Sequence, residues 1–295
     1  MQFSVKPLHL LLFVAVTVVW GGNFAVTKLG LLEIPPIMLV AMRFALVTVI
    51  LLPFAGIPRG KLPAIGLLSV VLGLLHFSMM FTGLKDIDAA TAAISIQLQV
   101  PFAALLAALA FGERLGWRRA LGMAIAFAGV AVIAGEPRLE GSYLSLALVI
   151  GAAMVWSVAN ILVKRLGEVD GTQINAWMAL FATPQLAAAS FVLEDGQWAA
   201  WQAADWRTLL IVAYQAVLVV ALGYGTWYAM LKRYDVNVAM PFTLLVPFFG
   251  VLSGVLFLDE VLTAALIVGG AMTIVGVGII VIRRPRLAGP KIERY

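Results

Sequence analysis

Ten stretches of apolar residues, each close to 20 residues long, follow one another along the 295-residue chain with only short interruptions. They run near Leu8 to Lys28, Pro36 to Gly56, Ala64 to Leu84, Ala90 to Gly112, Ala120 to Gly135, Tyr143 to Val163, Asn175 to Leu193, Leu209 to Leu231, Val236 to Leu258 and Ala264 to Ile282. At about 1.5 Å of rise per residue, an α-helix of about 20 residues crosses a hydrocarbon core of about 30 Å. Inside that core nothing else can bond the backbone, so a spanning segment must be a helix or part of a closed barrel. The composition agrees: 63% of the residues are hydrophobic, 12% are charged, and the mean hydropathy is +1.03. The expectation is an all-α membrane protein of ten transmembrane helices. Lys6 followed by an apolar run resembles a secretory leader, but the run is too long and lacks a small-residue cleavage site, so a retained helix is expected.

Charge fixes the expected orientation. Assigned to alternate connections, fifteen Lys and Arg fall on the side of the N-terminus, four (Lys28, Lys85, Arg138 and Arg207) on the other, and Arg43 lies within a span. By the positive-inside rule both termini are cytoplasmic. The surplus of basic residues therefore reads as topology and lipid contact, with no nucleic acid as partner.

The halves recur at a nearly constant offset. Trp20 and Lys28 match Trp156 and Lys164, Pro101-Phe102 matches Pro247-Phe248, Glu113-Arg114-Leu115 matches Glu260-Val261-Leu262, and Gly122 and Gly129 match Gly269 and Gly276. Five spans per copy is an odd number, so the second copy must cross in the opposite sense. The expected organisation is a first five-helix repeat over 1–136, a second, inverted five-helix repeat over 137–283, and a basic cytoplasmic tail over 284–295. Inverted repeats are a recurring transporter design, with substrate near the midplane between them.

The segments Val18-Val19-Trp20-Gly21-Gly22-Asn23-Phe24, Pro35-Pro36 followed by Arg43-Phe44, Phe111-Gly112-Glu113-Arg114-Leu115, Gly223-Tyr224-Gly225 and Leu258-Asp259-Glu260-Val261-Leu262 resemble the EamA family of the drug/metabolite transporter superfamily over nearly the whole chain. The resemblance implies a ten-helix fold in the bacterial inner membrane, alternating access, and export of amino acids or similar metabolites.

Polar groups within spans mark the candidate substrate site, because hydrocarbon penalises them. Trp20 and Asn23 are three apart and Trp156 and Asn160 four apart, so each pair shares a helix face, giving each half an aromatic wall and an amide. His76 lies midway through the third span. Gln97 shares a face with Pro101, whereas Gln99 points elsewhere. Trp177, Tyr214 and Trp227 are candidates for the second half's share of the lining. Arg43, about 10 Å below its helix end, either attracts a carboxylate, snorkels outward or pairs with a loop acid. Pro101 and Pro247 each remove a backbone bond and are candidate bends for gating. Gly122, Gly129, Gly269 and Gly276 offer small faces, best used to pack the halves together; they also admit a homodimer seam, but ten helices suffice for a pathway in one chain and a monomer is expected.

All fifteen acids fall in the connections, so the interior lacks the carboxylate that proton-coupled carriers usually keep. Transport is expected to be facilitative or coupled through His76. There are no cysteines and no metal or nucleophile motif, and His76 and Ser78 point to opposite sides of a helix, so neither catalysis nor a cofactor is expected. The expected partners are a small-molecule substrate, an amino acid or derivative, and membrane lipids. A carrier for an aromatic metabolite, an amphipathic drug or an activated sugar is the alternative.

Overall fold

A computed structural model describes residues 6–111, 116–231, 233–234 and 236–282. The Glu113-Arg114-Leu115 motif and the basic tail lie outside the described residues. Ten helices are long and apolar enough to cross a membrane: α1 Pro7–Gly30, α2 Pro36–Phe54, α3 Leu62–Asp86, α4 Ala89–Leu106, α5 Trp117–Ala134, α6 Tyr143–Leu166, α7 Gly171–Leu193, α8 Trp206–Leu231, α9 Met240–Leu258 and α10 Ala264–Val281. Proline opens the first turn of α1 and α2, where its missing N–H leaves no bond unmade. Side-chain oxygens of Asp170, Asp205 and Thr263 cap the free amides that begin α7, α8 and α10. Exposed tryptophans stand at Trp117, which opens α5 on one face, and on the other at Trp206, which opens α8, and at Trp198 and Trp201 in the short helix before it, as in an interfacial aromatic belt.

Five of the ten spans depart from α geometry, α2 only in its last turn, which is 3₁₀ over Leu52–Phe54. α3 is π-helical over Ser69–His76 and α8 over Tyr214–Tyr224. α4 tightens to a 3₁₀ turn at Ile96–Leu98, and α9 opens as one at Met240–Leu244. Each of the 3₁₀ segments in α4 and α9 ends three residues before a buried proline, Pro101 or Pro247. A proline cannot bond the carbonyl four residues back and its ring crowds that carbonyl, so the preceding turn tightens. The bends expected from these two prolines thus take the form of local 3₁₀ turns.

Helices pack as α5 on α10, α2 on α7, α1 on α9, α3 on α6 and α4 against both α6 and α9. The α5–α10 crossing needs glycine. A Cβ at Gly129 would lie 2.5 Å from the Gly269 carbonyl oxygen, and one at Gly122 would lie 2.7 Å from that of Gly276. The small faces therefore join α5 to α10 within one chain. Gly129→Leu should lower the melting temperature of the detergent-solubilised protein by an amount equivalent to about 1–3 kcal/mol, the usual penalty of overpacking. Gly66→Leu, where nothing lies within 4 Å of the new Cβ, should change it little.

Candidate functional site

The two tryptophans of the repeat meet rings from the opposite half. Trp20 on α1 lies 5.0 Å, centroid to centroid, from Tyr224 and 5.4 Å from Trp227, both on α8. Trp156 on α6 lies 4.9 Å from His76 on α3. His76 and Tyr224 close the two π-helical segments, where the widened turn brings these rings to the interface. Further bonds hold the arrangement. Trp20 Nε1 donates to the Val219 carbonyl at 3.2 Å, and the Tyr214 hydroxyl donates to the Val19 carbonyl at 2.8 Å. His76 Nδ1 is 2.9 Å from the Ala152 carbonyl, which can only accept, so the proton sits on Nδ1 and Nε2 is left as an acceptor.

Arg43 enters this belt from α2. It is 2% exposed, with its guanidinium carbon 4.8 Å from the Phe77 centroid and 5.6 Å from that of Phe44. It neither snorkels nor reaches a loop acid among the described residues. Asn23, one turn beyond Trp20, has its Oδ1 enclosed without a partner. Asn160, one turn beyond Trp156, is exposed. Gln97 is buried at 5% exposure within the tightened turn, and partly exposed Gln99 follows it. Pro101 and Pro247 are buried. Trp177 lies apart: its Nε1 donates at 3.1 Å to the Gly56 carbonyl beyond the end of α2.

Two recesses, of about 910 and 650 Å³, lie elsewhere, one at the surface around Glu33, Lys85 and Glu194 and one between α3 and α7. None of the residues expected in the substrate site lines either. The tilted rings of the two crossed pairs pack on one another across the halves instead.

A second set of residues escaped the sequence reading. On the face where odd-numbered spans end, five carboxylates each reach across the molecule. Glu33 accepts from Thr208 at 3.0 Å, Asp86 from Ser145 at 2.9 Å and Glu136 from Thr263 at 2.5 Å. Glu194 accepts from the Ile37 and Met38 amides at 2.6 and 3.1 Å, and Glu260 from the Ala89 and Ala90 amides at 2.5 and 2.9 Å. Every clasp joins one of the first five spans, or the connection after it, to one of the last five or a connection flanking it. Asp259 at φ 54° turns the chain so that Glu260 folds back over Gly254, where any Cβ would collide with the carboxylate. Lys28 supports the same corner, its Nζ donating to the carbonyls of Leu84, Lys85 and Ile87 at 2.7–3.0 Å. Beneath these clasps α4 is buried on all sides from Ala89 to Leu98. The available signal was the crowding of acids into one set of connections, opposite Ser and Thr at span beginnings.

Fold and site define a multi-span membrane protein with an aromatic belt at its centre. The EamA-like transporter family matches residues 7–135 and again 144–282, and the chain belongs to it. It is 31% identical to a protein of Escherichia coli (strain K12) named "Probable amino-acid metabolite efflux pump", over 88% of this chain and 90% of that one. It is 28% identical to one of Streptantibioticus cattleyicolor named "Probable terminal-alkyne amino-acid exporter", over 90% and 91%. One solved crystal structure shares the fold, with a TM-score of 0.64 and 19% identity over 93% of this chain and 96% of that one. The chain is a transporter and not an enzyme.

Burial pushes the Glu260 carboxyl above its ordinary value of 4.5, against the opposing pull of the Ala90 and Ala89 amides and of Lys28. Protons therefore bind more tightly in the clasped arrangement than in an opened, hydrated one, and the clasp loosens as pH rises through the raised value. The chain has no native cysteine, so Ser95→Cys, a near-isosteric change in the buried stretch of α4, gives a single thiol. Its alkylation, corrected for thiolate fraction, should speed up as pH rises through the raised Glu260 value. Adding Glu260→Gln should flatten that dependence.

Proposed function

We propose that the chain exports neutral amino acids or close derivatives across the bacterial inner membrane by alternating access between two inverted five-span halves, 1–136 and 137–283. The face bearing the termini is cytoplasmic, including the basic tail 284–295, and the clasped face is periplasmic. The observation that carries this reading is the crossed ring pairing: the tryptophan in the first span of each half packs on a ring in the third span of the other half. The packing supports the inversion, because α1 meets α9 as α6 meets α4, α3 meets α6 as α8 meets α1, and α2–α7 and α5–α10 pair with their own counterparts. Apart from the last turn of α2, the irregular turns fall in equivalent spans, the third and fourth of each half.

Rocking the halves parts both ring pairs at once, which opens a polar gap where the rings now pack. Asn23 and Gln97 supply amide groups to the substrate's charged ends, Asn160 meets it on the cytoplasmic side, and Trp20, Trp156, Tyr214 and Trp227 pack against its side chain. Trp177 contributes at the cytoplasmic mouth. Pro101 and Pro247 permit the accompanying changes in α4 and α9. The names of the two similar proteins favour amino acids and the outward direction. Transport is facilitative, since the spans hold a single carboxylate, Asp86, at the end of α3 and engaged by Ser145. One chain forms the pathway.

Reconstituted in liposomes, the protein should pass labelled threonine, methionine, cysteine, O-acetylserine or phenylalanine above the rate of empty vesicles. If none crosses while an unrelated solute does, the amino-acid reading fails. Asn23→Ala and Trp156→Ala should each lower the rate by roughly tenfold, the size of losing an interaction of about 1.4 kcal/mol, without lowering folded yield. Substrate flux should move no protons, and an alkalinisation or acidification that tracks flux would contradict the facilitative mode.

A further inference from the structure

Among the described residues, Arg43 is a buried cation without an anion. The only carboxylate in the spans, Asp86, is at a helix end and bonded to Ser145, and the clasping acids are spent on partners at one face. No hydrogen bond to Arg43 comes from any described residue, and its Nε is fully enclosed without a partner. What holds the side chain is the flat surface of Phe77, at 4.8 Å, with Phe44 behind. Stacking of this kind fixes the plane of a guanidinium while leaving its N–H edge unused. Charge placed in hydrocarbon without a partner is expensive, and where it persists it serves function by default.

Its position is specific. Phe77 follows His76 in sequence, and the two rings are 4.7 Å apart, while His76 in turn packs at a tilt against Trp156. Arg43 also lies within electrostatic range of His76 and of the Tyr224 hydroxyl, and Tyr224 packs at a tilt against Trp20. The cation therefore lies within electrostatic reach of one ring of each crossed pair, His76 and Tyr224, beside the two contacts that part when the halves rock. A solute entering between them meets a planar donor fork with a phenol beside it. That fork matches a carboxylate, which can take two parallel N–H bonds from it.

We infer that Arg43 anchors the carboxylate of the transported solute, which confines the cargo to molecules with a free carboxylate; this rests on the transport reading above and names the cargo's defining group. The missing counter-ion of Arg43 is then the substrate itself. Esters, amides and amines with the same side chain are rejected, because they leave the guanidinium desolvated and unpaired. Arg43→Lys keeps the charge but loses the fork.

The test uses the purified full-length chain in detergent, with thermal melting and tryptophan fluorescence as readouts, since Trp20 and Trp156 flank the site. Ligands are methionine, methionine methyl ester, methioninamide and, as a carboxylate lacking the amine, phenylacetate. Variants are Arg43→Met and Arg43→Lys. The wild type should bind methionine at least tenfold more tightly than its ester or amide. Arg43→Met should melt no lower than the wild type when empty, yet gain nothing from methionine, and Arg43→Lys should retain only a weakened response. Equal binding of methionine and its ester, or undiminished methionine binding by a folded Arg43→Met or Arg43→Lys variant, overturns the proposal while leaving amino-acid transport standing. If methionine fails but phenylacetate binds in an Arg43-dependent way, the carboxylate anchor stands and the amino-acid reading falls. Binding of the ester or amide alone overturns both.

Discussion

Hydrocarbon offers the backbone no hydrogen bonds, and the rest of this structure depends on that. Each of the ten spans must satisfy its own amides and carbonyls, so long stretches of the chain are forced into regular helix. Inside the hydrocarbon, irregular backbone survives only where protein covers it. The π-helical and 3₁₀ segments of α3, α4, α8 and α9 all lie in spans that pack against the opposite half. Two of these segments end on His76 and Tyr224, the rings that meet Trp156 and Trp20. Departure from ideal helix and polar chemistry coincide because both need shelter from lipid.

The charge distribution serves two ends. Basic residues gathered toward one side set the crossing direction. Acids gathered toward the other reach across it as five clasps, each between opposite halves of the chain. A carboxylate accepting from backbone amides or a hydroxyl forms a strong bond that can break by hydration at a membrane surface, unlike one buried in the core. At the other face, contacts of a different kind join α1 to the start of α9 and the connection before it, including His9 with the Tyr234 hydroxyl at 2.6 Å and the parallel stack of Phe13 on Phe242 at 4.5 Å.

The spans were legible because hydropathy integrates over about 20 residues and tolerates local noise. Their ends were less so. α7 and α8 begin several residues before the apolar run because Asp170 and Asp205 cap polar first turns that hydropathy discounts. α9 begins later than expected, at Met240, with a separate short helix at Val236–Ala239 before it. The presence of Trp20, Asn23, His76, Arg43 and Trp156 in the interior was readable from polarity alone. That Trp20 meets Tyr224 while Trp156 meets His76 was not, since periodicity fixes a face of a helix but not which helix lies opposite. Trp177 illustrates the limit: the right residue type in a span, yet bonded to Gly56. The reading of Gln97 assumed uniform helical rotation, which the 3₁₀ turn at Ile96–Leu98 alters.

If the halves must separate at the clasped face for solute to pass, tying them together there must stop transport reversibly. The absence of native cysteine makes this a clean test, with Ala90→Cys and Glu260→Cys placed on the two sides of the clasp between α4 and the end of α9. Flux should be measured before cross-linking with a short reducible bis-thiol reagent, after it, and after reduction. Arrest by the cross-link and recovery on reduction is the predicted result. Undiminished flux through a fully cross-linked protein would contradict alternating access between these two halves.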